Sequence, residues 1–209
     1  MRYSADHKEA AKQAILAKAS ARLRKDGIAA VGVRTLMADA GLTHGGFYAH
    51  FASRTALVAE AVGAAFQQTV TRLKQAAGQA KPDQGLAALI GTYLHVSHLT
   101  HPEQGCAAAA LAPEIARHDD AVRSHFADAL NPTLTLLAEQ LPEGGDPGAR
   151  MARARLIFAN MMGTLQLART LTDPREVEGL LTDGRAGALL IANQPWPQPP
   201  RTRSSRQKA

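Results

Sequence analysis

The segment 40–51, AGLTHGGFYAHF, constrains the fold of this chain more than any other stretch. Gly41 supplies a residue that tolerates positive φ, which a sharp turn after a helix requires. Thr43 is the expected N-cap of the next helix, because its hydroxyl can accept a free backbone N–H of the first turn. We therefore predict two short helices, over 33–40 and 44–50, which are joined by a tight turn and form a helix-turn-helix.

The aromatic side chains of this segment divide between core and surface. Phe47 and Phe51 share one helical face at i, i+4 spacing and are expected to close a miniature core against the first helix of the motif. The inward residues predicted for that first helix are Leu36 and Ala38. Tyr48 and His50 are then left pointing outward.

Two glycines follow the turn and cost helix stability. In a helix interior, Gly45 and Gly46 would each lower the stability of the helix by about 1 kcal/mol relative to Ala. That cost is reasonable if the backbone must approach the floor of a DNA major groove closely. Arg34, His44 and Gly45 lie at the N-terminal ends of the two motif helices, where recognition helices usually contact base edges. We predict that these three residues read the DNA sequence.

The basic residues concentrate at the two ends of the chain. The net charge is +6, and residues 1–55 hold nine Lys or Arg against four Asp or Glu. The last fourteen residues add four Lys or Arg and no acid, so the middle of the chain is slightly acidic. A basic N-terminal module on such a body favours a polyanionic partner. On charge alone, a solvated surface is an equally good explanation.

Helical periodicity extends along the whole chain and predicts an all-α protein. Ile15, Ala19 and Leu23 recur at i, i+4, i+8 in the first helix, while basic residues that include Arg24 take its other sides. Gly27 is expected to end that helix. The further helices are predicted over residues 54–73, 83–99, 104–118 with Pro113 as a kink or restart, 119–141, 150–171 and 174–192.

The chain is predicted to have three parts. Residues 1–53 would form a three-helix DNA-binding domain of the helix-turn-helix type. Residues 54–193, opened by Ser53 as a helix N-cap, would form a C-terminal helical domain for ligand binding and dimerisation. Residues 194–209 are Pro-rich, then basic, and are expected to be a disordered tail.

The sequence VGVRTLMADAGLTHGGFYAHFASRTALVAEAV, residues 31–62, resembles the DNA-binding region of the TetR/AcrR family of transcriptional regulators. The resemblance covers about residues 10–62. Two positions depart from the family pattern, because Gly32 replaces the usual hydroxyl residue before the motif and Arg54 replaces the usual lysine after it. The residues that carry the resemblance are Ala40, Gly41, Leu42, Thr43, Phe47, Tyr48, Phe51, Arg54 and Leu57.

The resemblance implies a homodimeric, ligand-responsive, sequence-specific regulator, most often a repressor. It would bind a near-palindromic double-stranded DNA operator and leave it when an unidentified small molecule binds the C-terminal domain. In such regulators the effector shifts the first long body helix and changes the separation of the two recognition helices. These must lie about 34 to 36 Å apart to read successive major grooves.

The resemblance also implies roles for individual DNA-binding residues. Tyr48 corresponds to the family's phosphate-contacting tyrosine, and Thr43 would both cap its helix and donate to a phosphate. Arg54 and His50 would position the duplex rather than read it.

Dimerisation is predicted through the helices over about 150–171 and 174–192. Two apolar stripes from each chain would close a four-helix interface by two-fold symmetry. The first stripe is Ile157, Met161, Thr164, Leu165 and Ala168. The second is Val177, Leu180, Leu181, Ala188 and Leu189.

The candidates for an effector pocket are residues of the C-terminal domain. Phe158, Met161 and Met162 form an apolar patch that suits a packed core and a ligand cavity equally well. His98 belongs to an H-x-x-H-x-x-H pattern whose third member drifts about 60° off the helical face, so pocket or surface histidines are favoured over a metal site. The full candidate set is Tyr93, His98, Cys106, Phe126, Phe158, Met161 and Met162.

Cys106 is the single cysteine of the chain. It precedes an Ala-rich helical run, so its sulfur is expected near a helix N-terminus, where partial positive charge favours the thiolate. A small buried hydrophobe is the favoured interpretation, and a sensor of electrophiles or oxidants is the alternative.

Other classes of function find little support. The sequence contains no nucleophile elbow, catalytic carboxylate pair or cofactor fingerprint, so we expect no enzyme, no cofactor and no metal. No signal peptide or apolar run of about 20 residues is present, which favours a cytoplasmic protein without a membrane partner. A non-specific architectural DNA-binding protein is the alternative function, favoured only by the basic tail.

Overall fold

A computed structural model describes residues 5–197, and all regular structure in that segment is helical. The all-α fold class is therefore as predicted. Two 3₁₀ helices cover His44–Ala49 and Pro102–Gln104. The α-helices are α1 (Ala5–Asp26), α2 (Val33–Asp39), α3 (Arg54–Gln79), α4 (Gly85–Tyr93), α5 (Ser97–Thr100), α6 (Ala107–Ile115), α7 (Asp120–Glu139), α8 (Pro147–Ala168) and α9 (Pro174–Ala192). Among these helices, none combines the length and the apolarity that crossing a bilayer needs.

Helix α1 ends where the sequence predicts. Gly27 follows its last residue with φ of +82°, the left-handed conformation that glycine adopts without strain. The apolar face of α1 is fully buried, and ion pairs tie the helix to its neighbours: Lys12 Nζ lies 2.6 Å from Glu60 of α3, and Arg22 Nη2 lies 2.6 Å from Asp39 of α2. The first helix therefore bridges the turn motif and the body.

Helix α3 is the longest helix and continues from the motif into the body. Its N-cap is Ser53, whose side chain accepts a hydrogen bond of 3.0 Å from the backbone N–H of Ala56. A continuous stripe along it is buried, from Leu57 to Leu73, with buried residues that recur every four positions on one helical face. Movement of this helix would thus change the position of the motif relative to the rest of the chain.

The body helices match the predicted segments, with one break. The segment predicted as 83–99 forms α4 and α5, which are separated at Leu94 because that residue leaves the helical conformation with ψ of +48°. Pro113 lies inside α6, and the helix ends two residues later at Ile115. The helix therefore does not restart at Pro113, and it ends three residues before the predicted residue 118.

Helices α8 and α9 pack against each other within one chain. The contact is closest at Gly184, where an added Cβ would lie 2.4 Å from Cγ2 of Thr164. The two stripes predicted for dimerisation lie largely at this contact and in the core. Ile157, Met161 and Leu165 are fully buried, as are Leu181 and Ala188 of α9. Most residues of the predicted stripes are therefore not available as a dimer surface, because packing within the chain already covers them, whereas Val177, Leu180 and Leu189 of α9 are half-buried.

The segment after α9 begins in contact with the body. Trp196 donates a hydrogen bond of 2.9 Å from Nε1 to the carbonyl of Glu143, and the guanidinium of Arg153 lies 3.5 Å from its ring centroid. The predicted disordered tail starts at residue 194, and its residues 198–209 lie outside the described segment, as do residues 1–4.

Candidate nucleic-acid interface

The turn between α2 and the following 3₁₀ helix has the geometry that the sequence predicts. Gly41 has φ of +71°, and the backbone N–H of Leu42 donates to the carbonyl of Met37 at 2.8 Å. The N–H of Gly41 donates to the carbonyl of Ala38 at 3.0 Å, which completes a Schellman motif. The free carbonyls at the end of α2 are thereby satisfied, and the chain reverses within a few residues.

The segment predicted as an α-helix from residue 44 is a 3₁₀ helix over His44–Ala49. Its tighter winding fits its shortness and its two glycines, which favour the α-helix poorly. Thr43 lies at the N-cap, but its side chain makes no capping hydrogen bond. The backbone carbonyl of Thr43 instead accepts from the N–H of Gly46 at 3.0 Å. The predicted hydroxyl cap is therefore wrong, because the main chain already satisfies that donor.

Two phenylalanine rings seal the motif as expected. Phe47 and Phe51 are buried with ring centroids 5.6 Å apart, and α2 contributes Leu36 and Met37. Ala38, predicted to face inward, is exposed. The inward position belongs to Met37, because the α2 face that meets the 3₁₀ helix is centred on residues 36 and 37. The miniature core holds the motif rigid while its outer edge stays open.

The predicted base-reading and phosphate-contacting side chains lie on that outer edge. Arg34, Thr43, His44 and Gly45 are all exposed. Tyr48 is 72% exposed, with its ring packed edge-on against Phe47 at 5.2 Å between centroids. A Cβ added at Gly45 would meet no atom within 4 Å. The glycine is therefore not required by packing within the chain.

The side chains of Arg54 and His50 contact the rest of the chain more extensively than the sequence predicts. Arg54 Nε donates to the carbonyl of Val31 at 3.2 Å, and its Nη2 donates to the carbonyl of Ile28. The guanidinium therefore ties the start of α3 to the loop before α2. His50 is half-buried, and its Nδ1 is buried without a hydrogen-bond partner.

Three hydrogen bonds connect the motif end of α1 and the residues after it to the body. The Glu114 carboxylate of α6 accepts a hydrogen bond of 2.9 Å from the backbone N–H of Ile28. Arg24, predicted on a solvated side of α1, is only 5% exposed and donates to the carbonyl of Gly105 at 3.2 Å. It also donates to Oε1 of Gln68 at 2.8 Å. The end of α1 is thus attached to the segment that precedes α6.

The structure brings together some of the predicted pocket residues and separates others. Tyr93 lies between His98 and Phe158, with ring centroids at 5.5 and 5.9 Å. Met161 is fully buried, whereas Met162 is half-buried. Phe126 of α7 packs edge-on against a different ring, that of Phe66, at 5.1 Å. Of this group His98 lines a cavity, of about 580 Å³, between α3, α4 and α5.

Cys106 occupies the N-cap position of α6, as its place in the sequence predicts, and is completely buried. Its neighbours were not predicted. The guanidinium groups of Arg24 and Arg169 both lie against Gly105, the residue before Cys106, and Arg72 of α3 carries a buried Nη2 close by in the same part of the body. The sequence gives no signal for this cluster, because its members are separated by many residues and each resembles an ordinary surface arginine.

The three histidines of the H-x-x-H-x-x-H pattern have separate environments. His98 is buried, and its Nδ1 is hydrogen-bonded to the carbonyl of Tyr93, whereas His95 is exposed and bonded through Nδ1 to the hydroxyl of Ser97 at 2.8 Å. His101 is also exposed, with its Nδ1 2.9 Å from the hydroxyl of Thr100. In the described segment no three His, Cys, Asp or Glu side chains lie together as metal ligands would.

A helix-turn-helix with a polar, exposed outer edge, attached by a long helix to a helical body, is the arrangement typical of DNA-binding transcriptional regulators. Residues 15–61 match the family described as "Bacterial regulatory proteins, tetR family". No curated protein matches the chain by sequence.

Solved structures agree with the family over most of the chain. The reduced form of NemR from E. coli is 18% identical with a TM-score of 0.73, covering 89% of this chain and 98% of that one. A TetR-family regulator from Cytophaga hutchinsonii is 14% identical with a TM-score of 0.73, covering 93% and 100%. FadR from Bacillus subtilis, in complex with stearoyl-CoA, is 15% identical with a TM-score of 0.64, covering 87% and 97%.

Residues 15–61 thus match the helix-turn-helix region of the tetR family, and the chain has the fold of TetR-family structures. The family profile covers the motif and its flanking helices, and the structural similarity extends the same fold across the body.

Proposed function

We propose that this protein is a sequence-specific, ligand-responsive repressor that binds its operator as a homodimer. The observation that carries the proposal is the outer edge of the turn motif. Arg34 and His44 are exposed at the N-terminal ends of the two motif helices. The neighbouring Gly45 is also exposed, and packing within the chain does not require a glycine there, because an added Cβ would meet no atom within 4 Å. Such an edge suits close approach to a major groove.

Base readout and backbone contact would fall to different residues. Arg34, His44 and Gly45 would contact base edges. Tyr48 and Thr43 would contact phosphates from the exposed side of the 3₁₀ helix. His50 would flank the duplex. Arg54 would hold the loop before α2 through the hydrogen bonds that its Nε and Nη2 donate to backbone carbonyls. Its Nη1 would remain free to contact a phosphate.

The dimer would form through the outward faces of α8 and α9 rather than through the buried stripes. Leu156 and Leu167 of α8 are 61% and 60% exposed, and Leu190 of α9 is 66% exposed. Small residues lie between them on the same faces, so two chains could approach closely. Exposed apolar surface of this kind favours burial against a partner. The small residues are Ala152, Ala159 and Gly163 on α8, and Gly179 and Ala186 on α9.

The ligand response would use the contacts between the body and α1. A small molecule bound in the body would move α3 and the segment before α6, to which the end of α1 is attached. FadR from Bacillus subtilis was solved in complex with stearoyl-CoA, which supports a body able to hold a small molecule. Because a dimer must match two major grooves about 34 to 36 Å apart, a small displacement would lower affinity without altering a DNA contact.

The test is competition for a labelled duplex obtained by selection from genomic DNA with the full-length protein. A sequence-specific regulator should be displaced by the unlabelled specific duplex at concentrations about a thousandfold lower than those of scrambled DNA at physiological salt. Equal competition by both duplexes would instead identify a non-specific architectural protein.

A further inference from the structure

Three guanidinium groups converge on one buried point of the body without an acidic partner. Arg24 comes from α1, Arg72 from α3 and Arg169 from the end of α8. Arg24 Nη1 donates to the carbonyl of Gly105 at 3.2 Å, and Arg169 Nη2 lies 3.2 Å from the position of a Cβ added at the same glycine. Arg72 lines a cavity together with His98, whose carbonyl accepts from Arg169 at 3.4 Å. Within the described residues none of the three is part of an ion pair. Glu103 is the one carboxylate that acts on Arg24, and it does so over a longer distance than an ion pair.

Several donors of this cluster have no acceptor. Arg72 Nη2, Arg169 Nε and the hydroxyl of Tyr93 are buried without a hydrogen-bond partner. Tyr93 is completely buried, and burial together with the neighbouring Cys106 side chain raises the pKa of its hydroxyl. The other bonds of Arg169 are long, at 3.3 Å to the carbonyl of Ala109 and 3.4 Å to that of His98. Unpaired buried donors are costly, more so when charged.

The electrostatics of the cluster are those of a site that lacks an anion. Burial and the charge of Arg72 lower the pKa of Arg24 to about 10, and burial lowers the pKa of Arg72 and Arg169. The arginines nevertheless stay protonated at neutral pH. Burial and the same two cations, Arg72 and Arg169, lower the pKa of His98 to about 4, so this histidine is neutral and adds no charge.

A cavity open to the surface reaches one edge of the cluster, at Arg72. The cavity of about 580 Å³ between α3, α4 and α5 is lined by Arg72 and His98, so one guanidinium already faces it. Gly91 and Ala88 of α4 form part of its wall, and an added Cβ at Gly91 would meet no atom within 4 Å. A small molecule could therefore present a charged group to Arg72 without displacing a large side chain.

We propose that this cluster binds a small oxyanion, the carboxylate or phosphate group of a small molecule that enters through the α3–α4–α5 cavity. Arg72 Nη2 would donate on the cavity side, and Arg169 Nε and the Tyr93 hydroxyl would donate from deeper in the body. Planar guanidinium groups bind carboxylates and phosphates with charge-assisted hydrogen bonds, which are about twice as strong as neutral ones. The proposal names the chemical class of the effector, and to that extent it rests on the proposed ligand response.

Arg24 would connect this site to the DNA-binding motif. It donates to the backbone carbonyl of Ser20 within α1, to that of Gly105 beside Cys106, and to the side chain of Gln68 on α3. An anion next to Arg72 would also attract the Arg24 guanidinium. The contacts that hold α1 against α3 would then change when the site is filled.

The first experiment measures anion binding to the full-length protein without DNA. Thermal denaturation and calorimetric titration use inorganic phosphate and sodium benzoate as probes, with benzamide as the neutral analogue and sodium chloride at matched ionic strength. Saturable stabilisation by phosphate or by benzoate, but not by benzamide or chloride, is the expected result. Comparison of the two anions distinguishes a phosphate group from a carboxylate as the recognised group.

The variant Arg72→Gln tests the site, and Lys74→Gln on the same helix is the matched control. Arg72 Nη2 makes no hydrogen bond within the described residues, so its replacement should leave the variant folded, with a melting temperature in the absence of anion no lower than that of the wild type. We expect anion affinity to fall at least tenfold in Arg72→Gln and to stay unchanged in Lys74→Gln, which removes an exposed charge.

Two results would overturn the proposal. One is the absence of saturable binding by either anion, or equal binding by the wild type and Arg72→Gln. The other is binding that appears only in Cys106→Ser, which would mean that the Cys106 thiolate itself balances the arginines. Neither result depends on DNA, so a failure here is separate from failure to bind an operator.

Discussion

Nη1 of Arg24, in the last turn of α1, donates a hydrogen bond of 3.2 Å to the backbone carbonyl of Gly105, the residue before Cys106. The contact joins residues 81 positions apart in the sequence. It attaches the helix that supports the turn motif to the start of α6, so a change in the body has a direct route to the DNA-binding end.

Replacing Arg24 should loosen that attachment. Arg24→Gln removes hydrogen bonds to Ser20, Gly105 and Gln68 from a side chain that is only 5% exposed. We expect the free energy of unfolding to fall by about 1 to 3 kcal/mol in urea denaturation. The control is Arg22→Gln on the same helix, whose half-buried ion pair with Asp39 should contribute about 1 kcal/mol or less. Equal losses in the two variants would contradict a special role for Arg24.

Gly45 offers a test of close approach to DNA that does not depend on folding. A methyl group added there meets no atom within 4 Å, so Gly45→Ala should fold normally and gain up to about 1 kcal/mol of stability. If the backbone lies against the major groove, the same methyl group should reduce operator affinity about tenfold or more in fluorescence anisotropy. Gly78→Ala, also in open space but at the far end of α3, is the matched control. Unchanged affinity in Gly45→Ala would remove Gly45 from the interface.

The outward face of α8 should control the oligomeric state. Leu156→Glu places a carboxylate on a surface that the proposed dimer buries, at a cost of several kcal/mol. Sedimentation equilibrium should therefore show a dimer dissociation constant raised about a hundredfold or more. Tyr48→Glu replaces an exposed aromatic residue of the 3₁₀ helix, outside α8 and α9, and should leave the dimer intact. A Leu156→Glu protein that remains a tight dimer would place the interface elsewhere.

The thiol of Cys106 should be protected in the native protein. Because the side chain is completely buried, N-ethylmaleimide should modify it much more slowly in buffer than in denaturant, as mass spectrometry would report. The electrophile should then fail to release the wild type from its operator on the timescale of the binding assay. Rapid release of the wild type, with Cys106→Ser remaining bound, would instead make Cys106 a sensor.

Local patterns in the sequence predict local structure well. The left-handed Gly41, the Ser53 cap and the buried pair Phe47 and Phe51 all depend on neighbours a few residues away. The 3₁₀ winding of residues 44–49 was not predicted, because α and 3₁₀ helices differ by a small balance of backbone hydrogen bonds that residue types describe poorly.

Long-range contacts account for the remaining differences. The arginine cluster joins α1, α3 and the end of α8, so no spacing in the sequence reveals it. The apolar residues of α8 show a helical stripe, but periodicity does not say whether another helix of the same chain or a second chain covers that stripe. Here α9 and the core cover Ile157, Met161 and Leu165, and the less regular outward face is left for a partner.

Selection of bound sequences from a library of randomised duplexes tests the central claim most directly. The wild type should enrich a near-palindromic site with half-sites centred about 10 to 10.5 base pairs, or a multiple of that spacing, apart. Arg34→Ala should lose preference at particular positions of each half-site, whereas Tyr48→Phe should weaken binding to all sequences alike and reduce its salt dependence. Enrichment of no sequence by the wild type, or an unchanged preference at every position in Arg34→Ala, would contradict the account.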